Sequence, residues 1–257
     1  MMIKEDRQSI ILDRLLKKGE VFVSDLSDLL QVSVVTVRKD LAELEKQGRL
    51  YRNHGIAILI TPFTGNRSVK EKEKLCPKEK SNIGLAASQL VTPNDSIIIA
   101  SGTTVTAFAH SLQHKPNFIA VTASLKVAET LAKNPNVDIM LLGGRLRHSS
   151  LSVVGPDAEQ MLVGCTFSKL FLGVDGIDLD YGITTTDLRE AHINRVMMCA
   201  AQKIIVLSDS SKFGRRGFAK ICGMDEVDMV ITDSGIRPAD RQSLEDMGIE
   251  VVIVSQG

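Results

Sequence analysis

The chain has 257 residues, 44% of them hydrophobic and 24% charged, which is the balance of a globular protein and excludes a disordered or collagen-like chain. Lysine plus arginine equals aspartate plus glutamate at 31 each, so bulk charge names no partner. No apolar run nears the ~18 residues that span a bilayer, and Asp6, Arg7, Asp13 and Arg14 interrupt any leader-like segment, so a soluble, cytoplasmic protein with no membrane partner is expected.

Charge is unevenly divided. Residues 1–80 carry 16 basic and 12 acidic side chains, a net +4 that leaves −4 for the rest, a weak sign of nucleic acid at the front. Ile11, Leu12, Leu15 and Leu16 make an apolar stripe at helical spacing, stopped by Lys17, Lys18 and Gly19. Ser24 is placed to cap a second helix with Leu26, Leu29 and Leu30 on its buried face. After a tight connection at Val32, Ser33 caps a third helix with Val37, Leu41 and Leu44 inward, closed by Gly48. Residues 49–60 read as two short strands turning near Asn53 to Ile56. Three helices and a hairpin make a winged helix-turn-helix over 1–60; a small helical interaction module is the alternative.

Residues 61–77 read as an exposed linker, in part compatible with helix, with Pro62, Gly65 and Pro77 and a solvated Lys/Glu run from Lys70 to Lys74. From 78 to 257 the pattern alternates. Apolar runs at 96–100, 118–121, 137–142, 169–173, 203–207, 229–232 and 249–254 read as buried strands, with helices at 103–112, 125–133, 188–201 and 238–247. An α/β domain with a largely parallel sheet follows.

In such a sheet ligands bind beyond the carboxyl ends of the strands. Those ends hold Ser101, Gly102, Thr103 and Thr104; Thr122, Ala123 and Ser124; Gly143, Gly144 and Arg145; Asp175 and Gly176; and the run from Ser208 to Lys212. Small residues admit a ligand to backbone N–H groups, and a helix starting at Thr103 sets its positive end against an anion. Lys212 and Arg145 suit a phosphate, while Asp175 and Glu190 suit sugar hydroxyls. Neither a Walker motif nor a GxGxxG after a strand occurs, and no cofactor is expected. Cys76, Cys165, Cys199 and Cys222 form no CxxC and read as reduced core residues, and Asp175, Asp178 and Asp180 lack the glutamate that would finish a calcium loop, so no metal is expected.

The run Val32-Ser33-Val34-Val35-Thr36-Val37-Arg38-Lys39-Asp40-Leu41 resembles the recognition helix of the DeoR family of bacterial transcriptional regulators, and Arg52 and His54-Gly55 continue the match into the wing. Ser101 to Thr104, Gly143 to Arg145, Gly173 to Gly176, Glu190-Ala191 and Asp209 to Phe213 resemble that family's effector domain in order. The resemblance implies a repressor of sugar or polyol catabolism. Its second domain would be similar to ribose-5-phosphate isomerase and would bind a phosphorylated sugar or polyol effector. It also implies a homo-oligomer, a dimer or tetramer, joined through that domain. The chain departs from the family at Ala100, Ala123, Asn194 and Ile56, and the first three place polar losses on the sugar side of the pocket.

With Val37 as the centre of the buried face and about 100° per residue, Val35, Thr36 and Lys39 point outward and Arg38 flanks them. Ser33, Val35, Thr36, Arg38 and Lys39 are thus the candidates for the major groove of a double-stranded DNA operator, and Arg52 and His54 those for the backbone or minor groove. The competing reading of Arg38 is a surface pair with Asp40 or Glu45. The competing reading of the protein is a sugar-phosphate isomerase using Asp175 and Glu190 in proton transfer, or an adaptor with a degenerate pocket.

Overall fold

The computed structural model describes residues 3–46, 49–53, 55–59, 67–115 and 117–255. The chain divides into two compact units, Met1–Pro62 and Phe63–Gly257.

In the first unit, α1 (Lys4–Lys18) ends at Gly19, whose φ of +79° suits a residue without a Cβ. A strand that the sequence pattern did not suggest, β1 (Glu20–Phe22), comes next, then α2 (Val23–Leu30), α3 (Val34–Lys46), β2 (Leu50–Asn53) and β3 (Ile56–Leu59). The strands form one antiparallel sheet in the order β1-β3-β2. Because β1 pairs with β3, the chain enters α2 two residues earlier than a cap at Ser24 would set it. Val23 starts the helix and is buried, Ser24 lies inside it, and Leu29 is exposed. Ile11, Leu15, Leu26, Val37, Leu41, Leu44 and Leu50 are sealed in this unit's core, each contributing about 2 kcal/mol. Leu16, expected in the stripe, faces solvent. Gly48 and residues 60–66 lie outside the described residues.

The second unit opens with α4 (Val69–Glu73) and α5 (Pro77–Ser88). Part of the stretch expected as a linker over 61–77 is thus helical. Ser68 and Glu71 form a reciprocal capping box, and Val69 is buried. Then follow β4 (Ser96–Ile99), α6 (Thr103–Ser111), β5 (Phe118–Thr122), α7 (Leu125–Leu131), β6 (Val137–Leu141), the hairpin β7 (Arg145–Arg147) and β8 (Ser152–Val154), α8 (Pro156–Gln160) and β9 (Lys169–Gly173). The chain ends with β10 (Gly176–Asp178), β11 (Gly182–Thr185), α9 (Leu188–Cys199), β12 (Ile204–Leu207), β13 (Ala219–Cys222), β14 (Met229–Asp233), α10 (Pro238–Asp246) and β15 (Glu250–Val254).

The seven strands that the apolar runs predict form one parallel sheet, ordered β15-β14-β12-β9-β4-β5-β6. Alternation splits each strand between two cores: Ile97, Ile99, Phe171 and Ile205 pack with α5, α6 and α7, whereas Ile98, Leu170, Leu172 and Val206 pack with α9. Chain order runs outward from β4 to β6, then returns to β9 on the other side of β4. The β4/β9 boundary is therefore the switch point where loops part and a crevice opens. A smaller sheet, β10-β11-β13, had no apolar run long enough to announce it. Of the four cysteines, all thiols, only Cys222 is buried and Cys199 is exposed; the core reading of Cys199 is thereby corrected.

Candidate functional site

In the first unit, α3 is capped by Ser33, whose Oγ accepts from Thr36 N–H at 3.2 Å and shares a 2.9 Å hydrogen bond with Thr36 Oγ1. Val35 is 62% exposed, a high value for valine and one that suits an apolar contact with a partner. Arg38 and Lys39 lie on the exposed side beside it, with no ion pair among the described residues. The partners weighed for Arg38 are taken by others. Arg7 grips Asp40 at 2.7 and 3.1 Å, and Arg52 grips Glu45 at 2.8 and 2.6 Å. Arg52, expected on DNA, also donates its backbone N–H to Glu45 and reaches the Arg38 carbonyl at 3.4 Å, so it struts the wing against α3. His54 lies outside the described residues.

In the second unit a pocket of about 540 Å³, its open mouth included, sits at the switch point. It is lined by Ser101, Gly102, Thr103 and Thr104 after β4, by Asp175 after β9, by Lys212 after β12 and by Glu190 on α9. Gly102 holds a φ of +131° just before α6, and a Cβ on Gly173 would lie 2.8 Å from the Ser101 carbonyl; glycine at both positions lets the two strand ends meet. The nine-residue α6 presents its first, internally unpaired N–H groups at this point.

Five expected residues do not join them. Thr122 is buried and accepts from Ser124 N–H at 3.0 Å, and Ser124 caps α7. Gly143, Gly144 and Arg145 follow β6, the edge strand, and Arg145 lines a separate cavity with Arg189, His192 and Arg195. Distance from the switch point is the reason: β5 and β6 lie one and two strands beyond β4, at about 4.8 Å a step. Ala100 and Ala123 also turn into the core with Ile98 and Val121, so of those three departures only Asn194 lines the pocket.

Other groups complete the site. Lys72 on α4 projects from the charge run expected to be solvated and pairs with Asp175 at 2.5 Å. Burial pushes the Asp175 carboxyl up, but the charge and hydrogen bond of Lys72, the charge of Lys212 and the Thr185 hydroxyl outweigh it and hold it below the usual range. Lys80, nearly buried, donates to the Lys72 and Leu75 carbonyls at 2.6 Å each, which fixes the end of α4. Burial lowers its pKa against the opposing pull of Asp209. Asp209 is itself held low: burial raises it, while Lys212, Lys80 and Ser211 more than compensate. Asp233 accepts from Ser210 at 2.6 and 2.8 Å and locks the turn Ser210–Lys212 that aims Lys212. Behind Glu190 stands Arg147, at 3.3 Å and also 3.1 Å from Asp187. The arginine that reaches the site region is thus the second one after Gly144, not Arg145. Of these the sequence carried one usable signal, the Ser68/Glu71 capping box that starts the helix bearing Lys72.

A helix-turn-helix unit followed by a parallel α/β unit with a pocket at its switch point has the build of a DNA-binding regulator with a sensor domain. Residues 7–63 match the DeoR-like helix-turn-helix domain and residues 76–234 the DeoR C-terminal sensor domain. The chain belongs to the DeoR family of transcriptional regulators. A protein of Escherichia coli O157:H7 that carries the name of an aga operon transcriptional repressor is 40% identical over 98% of this chain and 94% of its own. The transcriptional repressor GlcR of Bacillus subtilis (strain 168) is 32% identical over 99% and 98%. These relatives are named as regulators, not enzymes. Ribose 5-phosphate isomerase A from Neisseria gonorrhoeae aligns over 52% of each chain with 19% identity and a TM-score of 0.40, a likeness too slight to bear on activity. Among the described residues no helix is long and apolar enough to cross a membrane.

Proposed function

We propose that the protein represses a carbohydrate or polyol catabolic operon, and that its affinity for a double-stranded operator is set by a phosphorylated sugar or polyol in the switch-point pocket. The observation that carries the sensor half is Lys212. It enters the pocket beside the start of α6, and among the described residues it forms no ion pair. A cation and a helix N-terminus facing small hydroxyl residues suit a phosphate. The operator half is supported by the exposed Val35, Arg38 and Lys39 and by relatives named as repressors.

One such helix reads few bases, so a dimer or tetramer on paired half-sites supplies specificity. Effector binding then changes operator affinity by about 5–150-fold, the range of ordinary allosteric coupling. Fluorescence anisotropy on DNA from upstream of the protein's own gene, at fixed salt and with a panel of sugar phosphates, tests this. Specific binding shifted by one of them is expected, and Lys212→Ala should bind DNA normally without that shift. A Lys212→Ala chain that responds like wild type overturns the phosphate assignment, and absence of any specific DNA binding overturns the regulator.

A further inference from the structure

Both carboxylates lining the pocket are already met by cations. Asp175 takes Lys72 on Oδ1, and Thr185 and Thr186 approach its Oδ2 at 3.1 and 3.3 Å. Glu190 Oε1 takes Arg147 at 3.3 Å and Ser152 at 3.0 Å. One turn further along α9, Asn194 lines the same pocket at 5% exposure, and its side chain makes no hydrogen bond among the described residues. The Thr104 side chain, 7% exposed, lines the pocket in the same condition. Their polar atoms are not sealed in the protein but open to the pocket, where a ligand can take them. An amide offers two donors and an acceptor and no charge, which suits hydroxyls and gives no counter-ion to a second anion.

We infer that Asn194 is the specificity-determining residue of the pocket. It reads the uncharged hydroxyl end of the effector, while Lys212 and the start of α6 hold the anion, and it selects a monophosphate over a ligand with an anion at each end. The inference rests on the pocket reading above.

Isothermal titration of the full chain with inorganic phosphate, pentose and hexose monophosphates and a hexose 1,6-bisphosphate tests it. Wild type is expected to favour one monophosphate over both phosphate and bisphosphate by ~tenfold, the worth of one or two net hydrogen bonds. Asn194→Leu should lose that preference and leave inorganic phosphate binding unchanged. It should leave the melting temperature of the ligand-free chain little changed, because no side-chain hydrogen bond within the protein is lost. Asn194→Lys should move preference towards the bisphosphate. A leucine variant that keeps the preference overturns the inference, as does a lysine variant that does not move towards the bisphosphate, or a wild type that binds phosphate without favouring any sugar. A wild type that binds no phosphate of any kind overturns the pocket reading itself, and the inference with it.

Discussion

Replacing Lys72 by methionine keeps the aliphatic stem and removes the charge. The side chains of Lys72 and Asp175 are only 21% and 12% exposed, and their atoms meet at 2.5 Å. Breaking a buried pair from one side costs about 3–5 kcal/mol, because the remaining charge is stranded. Asp175 keeps the Thr185 and Thr186 hydroxyls and the field of Lys212, and it can also take up a proton. The expected loss is therefore smaller, about 2–3 kcal/mol. The Lys72→Met, Asp175→Asn double variant strands no charge, so a double-mutant cycle should return a coupling of about 1.5–2 kcal/mol. The pH dependence follows in sign. A depressed carboxyl adds stability that is full above the ordinary value of about 4 and is lost as pH falls through the folded-state value. Without Lys72 the Asp175 carboxyl titrates closer to its ordinary value, so this acid loss is smaller and is complete at higher pH. Urea unfolding of the second unit at pH 7 and across the acid range measures both effects. A single-variant loss under about 0.5 kcal/mol, or an additive cycle, would refute the view that this pair holds α4 at the pocket.

On the DNA side, Arg38→Ala should cost about 1–3 kcal/mol of specific binding, whereas Lys39→Ala should reduce the slope of log affinity against log salt by about one; an unchanged slope takes Lys39 off the phosphates. Ser124→Ala removes the cap of α7, whose Val127 N–H lies 3.3 Å from Ser124 Oγ, and should lower stability by about 1 kcal/mol. Neither it nor Arg145→Ala should change effector affinity in a titration, and a loss in either variant returns those loops to the pocket. Asp95 accepts from Thr92, Ser168 and Lys169. Burial raises its carboxyl, but those contacts, Lys169 first, hold it at about 2. Its contribution, about 1 kcal/mol after solvent screening, is full above pH ~4 and lost towards pH 2; Asp95→Asn should flatten that limb of an acid melt, and an unchanged limb refutes the assignment.

Elements that obey a short rule were legible. The seven parallel strands announce themselves as apolar runs because both faces of the sheet are covered, and Val37, Leu41 and Leu44 mark the inner face of α3 by spacing alone. The smaller sheet and β1 were not legible, since three- and four-residue strands fall below the length at which alternation can be told from chance. Strand order was hidden as well. Five loop ends looked equivalent in the chain, and only the order β9-β4-β5-β6 shows that Thr122, Ser124 and the 143–145 segment lie on the far side of the switch point.

Charge and polarity at the pocket depend on pairings that no local pattern contains. Lys72 meets a carboxylate 103 positions away, and Arg147 one 43 positions away. Each pairing takes a residue type that looks like a ligand contact and assigns it to the protein instead. Asp175 and Glu190 were natural choices for sugar hydroxyls, yet both charges are answered from within the chain, while Asn194 keeps its hydrogen-bonding capacity. A binding site consists of the polar groups that folding leaves unsatisfied. Residue type at a strand end can nominate candidates, but the balance of partners decides among them, and that balance exists only once distant segments have packed.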